Sequence, residues 1–161
     1  MRISPFAALL ISFASWISIG IFLLYKGLTL LVGLATFEAH SSLMTSLSQM
    51  AGGVQQAILT CICLGLFVGF MKGRFVLSKT VARLSNRFYS YARPMAFKEI
   101  YPVSYLVLIG SMVLLGISLK WLPIPQELRG TVDVAIGSAL TNGAFQYLRV
   151  AFTKGRQLAA K

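Results

Sequence analysis

The side chains able to do chemistry are few: two cysteines, one histidine and four carboxylates among 161 residues. Cys61 and Cys63 stand two residues apart in an apolar run, so on a helix they point to different faces and cannot pair with each other. His40 has no second histidine to work with. One imidazole and two thiols inside a membrane segment build no zinc, haem or Cys/His catalytic centre. The acids Glu38, Glu99, Glu127 and Asp133 are too scattered for metal or general-base work. No phosphate-cradling Gly-Lys-Ser/Thr loop, Gly-x-Ser-x-Gly elbow or His-Glu metalloprotease pair occurs. The expectation is no catalytic residue, no metal and no cofactor.

What remains is polar chemistry on an otherwise apolar helix. Advanced by about 100° per residue, Ser138, Asn142, Gln146, Arg149 and Thr153 fall in one narrow arc. Opposite them Gly130, Gly137, Ala144 and Ala151 form a small-residue stripe at heptad spacing. An unpaired amide facing lipid is costly, so Asn142 and Gln146 must face protein or water. Two uses fit: hydrogen bonds between helices, or a hydrophilic pathway lined by Ser138, Asn142, Gln146 and Arg149, with Arg149 at its cytoplasmic end favouring an anion. Asp133 lies four residues after Arg129, which predicts an ion pair between them near the outer surface, or a proton or cation site at a pore mouth. Lys26, beside Tyr25, reads as an outer-interface anchor.

These residues must be held by membrane helices. At 57% apolar and 12% charged residues, the composition is that of an integral membrane protein. It predicts an all-α, four-helix transmembrane bundle forming one domain over 1–161, with spans at about 5–25, 54–71, 103–122 and 130–152. The first apolar run continues past Lys26 to Phe37, too long for one upright span; it requires tilt, or a segment lying on the outer surface. It also exceeds the core of a signal peptide and is read as a span. Gly52-Gly53 breaks the chain before span two, Pro102 opens span three, and Pro123-Ile-Pro125 forces a non-helical connection before span four.

Fifteen Lys plus Arg against four acids give a net charge of +11. In a soluble protein that points to nucleic acid; in a membrane protein it points to topology and anionic lipid, and no nucleic-acid partner is expected. The segment 72–102 carries Lys72, Arg74, Lys79, Arg83, Arg87, Arg93 and Lys98, whereas 38–53 carries no Lys or Arg. This contrast places the central loop and both termini in the cytoplasm of a multi-pass protein, with a bacterial inner membrane as the expected location. From Arg74 to Phe88, Leu77, Val81, Leu84 and Phe88 form one stripe and Lys79, Arg83 and Arg87 another. This basic amphipathic helix between spans two and three predicts contact with anionic headgroups through Lys72, Arg74, Lys79, Arg83 and Arg87, or docking of a cytoplasmic protein.

Span two repeats a small residue every fourth position: Ala57, Cys61, Gly65, Gly69 and Gly73. Such stripes let helix backbones approach closely. With Gly137 and Ala144 they mark helix packing within the chain or contacts in a homo-oligomer. Gly20 to Gly27 and Gly65 to Gly73 share a local pattern that membrane-helix composition accounts for without an internal duplication.

Leu108-Ile-Gly-Ser-Met-Val-Leu-Leu-Gly116, followed by Glu127-Leu-Arg129, resembles a stretch of the small four-helix bacterial fluoride channels over about a quarter of the chain. That family's Gly-rich first helix with an embedded Arg and its Phe/Thr/Ser-rich third helix are absent, and its dual topology conflicts with the charge contrast between loops here; membership is not assigned. The functional expectation is a homo-oligomeric channel or transporter subunit with its pathway along span four. The alternative is a non-transporting scaffold or accessory subunit that binds anionic lipid or a protein partner through its basic loop.

Overall fold

A computed structural model describes residues 2–3, 5–36, 41–79, 81–83, 86, 95–96, 110, 114, 118 and 121–159. The fold is all-helical, apart from a two-residue antiparallel bridge in which Arg2 pairs with Ala96 and Ile3 with Met95. Helix α1 spans Pro5–Thr36, α2 Ser42–Ala51, α3 Val54–Lys72 and α4 Gln126–Ala159. Most of predicted span three lies outside the described residues.

Helix α1 is one continuous helix of 32 residues, about 48 Å long at 1.5 Å per residue, so the long first apolar run does not break at Lys26. Pro5 opens it at the position where a missing N–H is harmless. Ser15, Ser18 and Thr29 donate their hydroxyls to the carbonyls of Ile11, Ala14 and Tyr25, at 2.9, 2.8 and 2.7 Å. This keeps the hydroxyls satisfied without any neighbouring helix.

The segment 38–53, read from sequence as a plain loop, contains α2. Ser41 caps it by accepting the Met44 N–H at 3.2 Å, and Gly52, at φ 85°, ends it in the left-handed conformation that favours glycine. The signals were the Ser-Ser and Gly-Gly pairs at its two ends. Helix α3 continues through a π-helical turn, Gly73–Leu77, and residues 78–79, 81–83 and 86 are again helical.

Helix α4 is the central element. Helix α1 packs antiparallel on one side of it, so that Trp16 meets Tyr147, Gly20 meets Thr141 and Gly27 meets Gly130. Helix α3 packs parallel on another, with Gly65 over Thr131, Gly69 over Ala135 and Gly73 over Ala139. Leu77, the last residue of the π turn, and Val81 beyond it are buried with Ala144, Tyr147 and Ala151. At the far end Leu31, Leu34, Met44, Ala57, Ile58, Cys61 and Val134 form a second core cluster. Among the described residues two helices are long and apolar enough to cross a membrane, Phe6–Leu34 and Val54–Phe75. Helix α4, the predicted fourth span, is not among them: Asp133, Asn142 and Gln146 lower its hydropathy.

Candidate functional site

The polar arc on α4 is directed largely onto α3. Ser138 donates its hydroxyl to the Leu66 carbonyl at 3.2 Å, and Gln146 donates its amide to the Gly73 carbonyl at 3.2 Å. Asn142 donates to the Ser138 carbonyl of its own helix at 3.3 Å. Gly73 begins the π turn, where the helix backbone widens, and its carbonyl is the acceptor that Gln146 reaches. Ser138 is buried, Asn142 and Gln146 are half-buried, and Arg149 is exposed at the end of the arc. Three of the four residues read as pathway lining therefore have hydrogen-bond partners on helix backbone.

The small residues explain how the helices come so close. A Cβ on Gly73 would lie 2.8 Å from the Ala139 carbonyl oxygen, and one on Gly65 would lie 2.9 Å from that of Thr131. The stripe Gly65, Gly69 and Gly73 thus packs on α4 of the same chain, while Ala57 and Cys61 continue it into the core cluster with Leu31 and Val134. Cys61 is buried and Cys63 exposed; neither is in a disulfide. On the other side of α4, Gly137 meets Gly20 and Leu24, and Ala144 and Ala151 are fully buried beside Trp16, Leu9 and Ala8. The partner stripe on α1, Gly20 and Gly27, was missed from sequence. Its seven-residue spacing equals that of Gly130 and Gly137, and that was the available signal.

The end of the bundle that carries α2 gathers the buried acids. Lys26 Nζ lies 2.8 Å from Asp133 Oδ2, with the lysine side chain 37% exposed and the aspartate 2%. The expected Asp133–Arg129 pair is corrected here: the partner comes from α1, one residue before the close contact of Gly27 with Gly130. Four residues on one helix put two side chains on the same face, but the Gly27–Gly130 approach brings a lysine closer still. Glu127, in the first turn of α4 where a carboxylate suits the helix dipole, is buried and accepts the Ser41 hydroxyl. One serine thus caps α2 and donates to one carboxylate oxygen of a buried acid on α4, whose Oε2 has no hydrogen-bond partner among the described residues. From sequence Ser41 carries no signal of this contact, and Glu127 stands only among the scattered acids and in the Glu127-Leu-Arg129 stretch.

The opposite end is basic. Lys72, Arg74, Lys79 and Arg83 are exposed, while Leu77 and Val81, on the other side of the same helix, face the core. Arg87 lies outside the described residues. Leu77 and Val81 of the apolar stripe are therefore seated within the bundle, leaving the described cations outward, and Leu84 and Phe88 lie outside the described residues. Among the described residues no group of three His, Cys, Asp or Glu side chains is placed to hold a metal ion.

Fold and site together define a small helical bundle with a close-packed, glycine-lined central helix, one basic end and one end with an internal ion pair. Compared with protein families, with curated proteins and with solved structures, the chain has no match.

Proposed function

We propose that the protein is a non-catalytic, multi-pass membrane scaffold or accessory subunit without a conduction pathway of its own, and that its basic segment holds anionic lipid headgroups. The observation that carries this reading is the use of the α4 polar arc: Ser138 and Gln146 fasten α4 to α3, and Asn142 bonds its own helix. A pathway needs such groups free to face water. Membrane placement is supported by α1 and α3 and by the large apolar side chains they expose, among them Ile21, Phe22, Leu59 and Phe67. On this reading α4, packed against α1 and α3, and the segment at about 103–122, most of which lies outside the described residues, bring the number of spans to four. The clustering of exposed Lys72, Arg74, Lys79, Arg83 and Arg149 supports a cytoplasmic basic end with both termini on that side.

Flux measurements on liposomes containing the purified protein test this. Across a panel of inorganic ions and small solutes we expect no flux above protein-free liposomes, for the wild type and for Asn142→Leu alike. Binding to vesicles rich in phosphatidylglycerol should weaken by about thirtyfold when Lys79 and Arg83 are changed to glutamine, at roughly 1 kcal/mol per surface cation. Solute-selective flux abolished by Asn142→Leu would overturn the reading in favour of the channel or transporter.

A further inference from the structure

A cavity of about 400 Å³ opens on the side of α1 at the end opposite the basic segment. Its walls are Phe22, Tyr25, Lys26, Thr29 and Leu30, which lie on one face of α1, and Arg129 of α4. Two cations meet here, and they differ in their compensation. Lys26 is neutralised by Asp133. Arg129 is half-buried and makes no salt bridge among the described residues, and its Nε is buried without a hydrogen-bond partner. A guanidinium with a buried, unsatisfied N–H is costly unless an acceptor is supplied, because the group has given up water at that nitrogen. The other walls are Phe22, Leu30, the Tyr25 ring and Thr29, whose hydroxyl donates to the Tyr25 carbonyl. Phe22 and Tyr25 are largely exposed, and one turn towards the middle of α1 Ile19 extends the apolar surface.

We infer that this cavity binds the phosphate of an anionic amphiphile, its headgroup between Arg129 and Lys26 and its chain along Phe22 and Ile19. The planar guanidinium offers paired N–H donors that match a phosphate, and the Lys26 ammonium, already paired with Asp133, adds a second donor without a second uncompensated charge. Tyr25 beside the two cations has the character of a membrane-interface belt, where a headgroup sits. The occupant is a lipid rather than a soluble anion, because Phe22, Leu30 and the Tyr25 ring offer a chain an apolar surface beside the cations, and the Thr29 hydroxyl already donates to the Tyr25 carbonyl at 2.7 Å. This site is separate from the basic end, and it rests on the membrane placement proposed above, which extraction from membranes only by detergent reads independently.

The test uses the full chain in mild detergent, with Lys72, Arg74, Lys79, Arg83 and Arg149 changed to glutamine so that the exposed cations of the basic end do not contribute. Bound phosphatidylglycerol is counted by native mass spectrometry and titrated by its effect on thermal melting. One phosphatidylglycerol should bind, and phosphatidylcholine and inorganic phosphate at the same concentrations should not displace it. Arg129→Gln should weaken binding by about tenfold or more, the loss of a charge-assisted hydrogen bond. Thr29→Trp, which fills the cavity but leaves both cations, should weaken it comparably while melting as the parent does without lipid. Unchanged binding in both variants would overturn the proposal. Displacement by inorganic phosphate would overturn the amphiphile and leave a soluble anion as the ligand.

Discussion

Gly137→Leu is expected to force α1 away from α4 and to lower stability in detergent by about 3 kcal/mol, at the upper end of overpacking effects. A Cβ at this position would lie 2.7 Å from the Leu24 backbone nitrogen and 2.8 Å from the Gly20 carbonyl oxygen. Both are main-chain atoms of a helix, which cannot rotate aside as a side chain can. The reciprocal contacts at Gly20, where a Cβ would lie 3.1 Å from the Gly137 carbonyl oxygen, mean that the whole crossing must open. Gly33→Leu is the matched control, because no heavy atom lies within 4 Å of a Cβ there. Thermal melting should place Gly33→Leu at the wild-type value and Gly137→Leu far below it. Equal melting of the two variants would show that α1 and α4 do not cross at these glycines.

Lys26→Met should be the most damaging single change among the charged residues. It leaves the Asp133 carboxylate, 2% exposed, without its counter-ion, and breaking a buried pair in this way typically costs about 3–5 kcal/mol. Asp133→Asn should cost less, because the partly exposed lysine can swing its ammonium towards water or headgroups. The double variant should therefore melt well above Lys26→Met alone. A double-mutant cycle measures this directly. If Lys26→Met shifts stability by no more than an ordinary surface substitution, about 0.5 kcal/mol, the pair makes no structural contribution.

Those two results depend on features that differ in how openly the sequence displays them. Periodicity and charge are local properties, so the start of α1 at Pro5, the start of α3 after Gly52-Gly53 and the helical course of α4 could be read directly, whereas the continuation of α1 past Lys26 was one of two readings left open. The heptad stripe of α4 could be read too, because Gly130, Gly137, Ala144 and Ala151 are rare enough as a set to stand out. What it packs on could not. Gly20 and Gly27 look like ordinary membrane-helix glycines until an antiparallel neighbour with the same spacing is laid beside them. Pairing across helices is the harder quantity throughout. Asp133 had Arg129 four residues away and Lys26 more than a hundred, and the close backbone contact at Gly27 decided between them. The polar arc was visible as an arc, but its acceptors are the backbone carbonyls of Leu66, Gly73 and Ser138, and main-chain acceptors have no sequence signature. Helix α2 was hidden for another reason: ten residues without charge and rich in serine look like a loop, and only its capping residues mark it.

The account stands on α4 being closed off by α3 of the same chain, and one cross-link tests that. A Cβ on Gly143 would lie 3.4 Å from Leu77 Cβ, close to the separation a disulfide bridges. In a chain with Cys61 and Cys63 changed to alanine, Leu77→Cys with Gly143→Cys should oxidise in native membranes to an intrachain disulfide. The product should migrate as a reductant-sensitive monomer, with neither single cysteine variant giving it. Failure to cross-link, or cross-linking only between chains, would contradict the account and reopen the α4 face as the wall of a pathway or a contact between subunits.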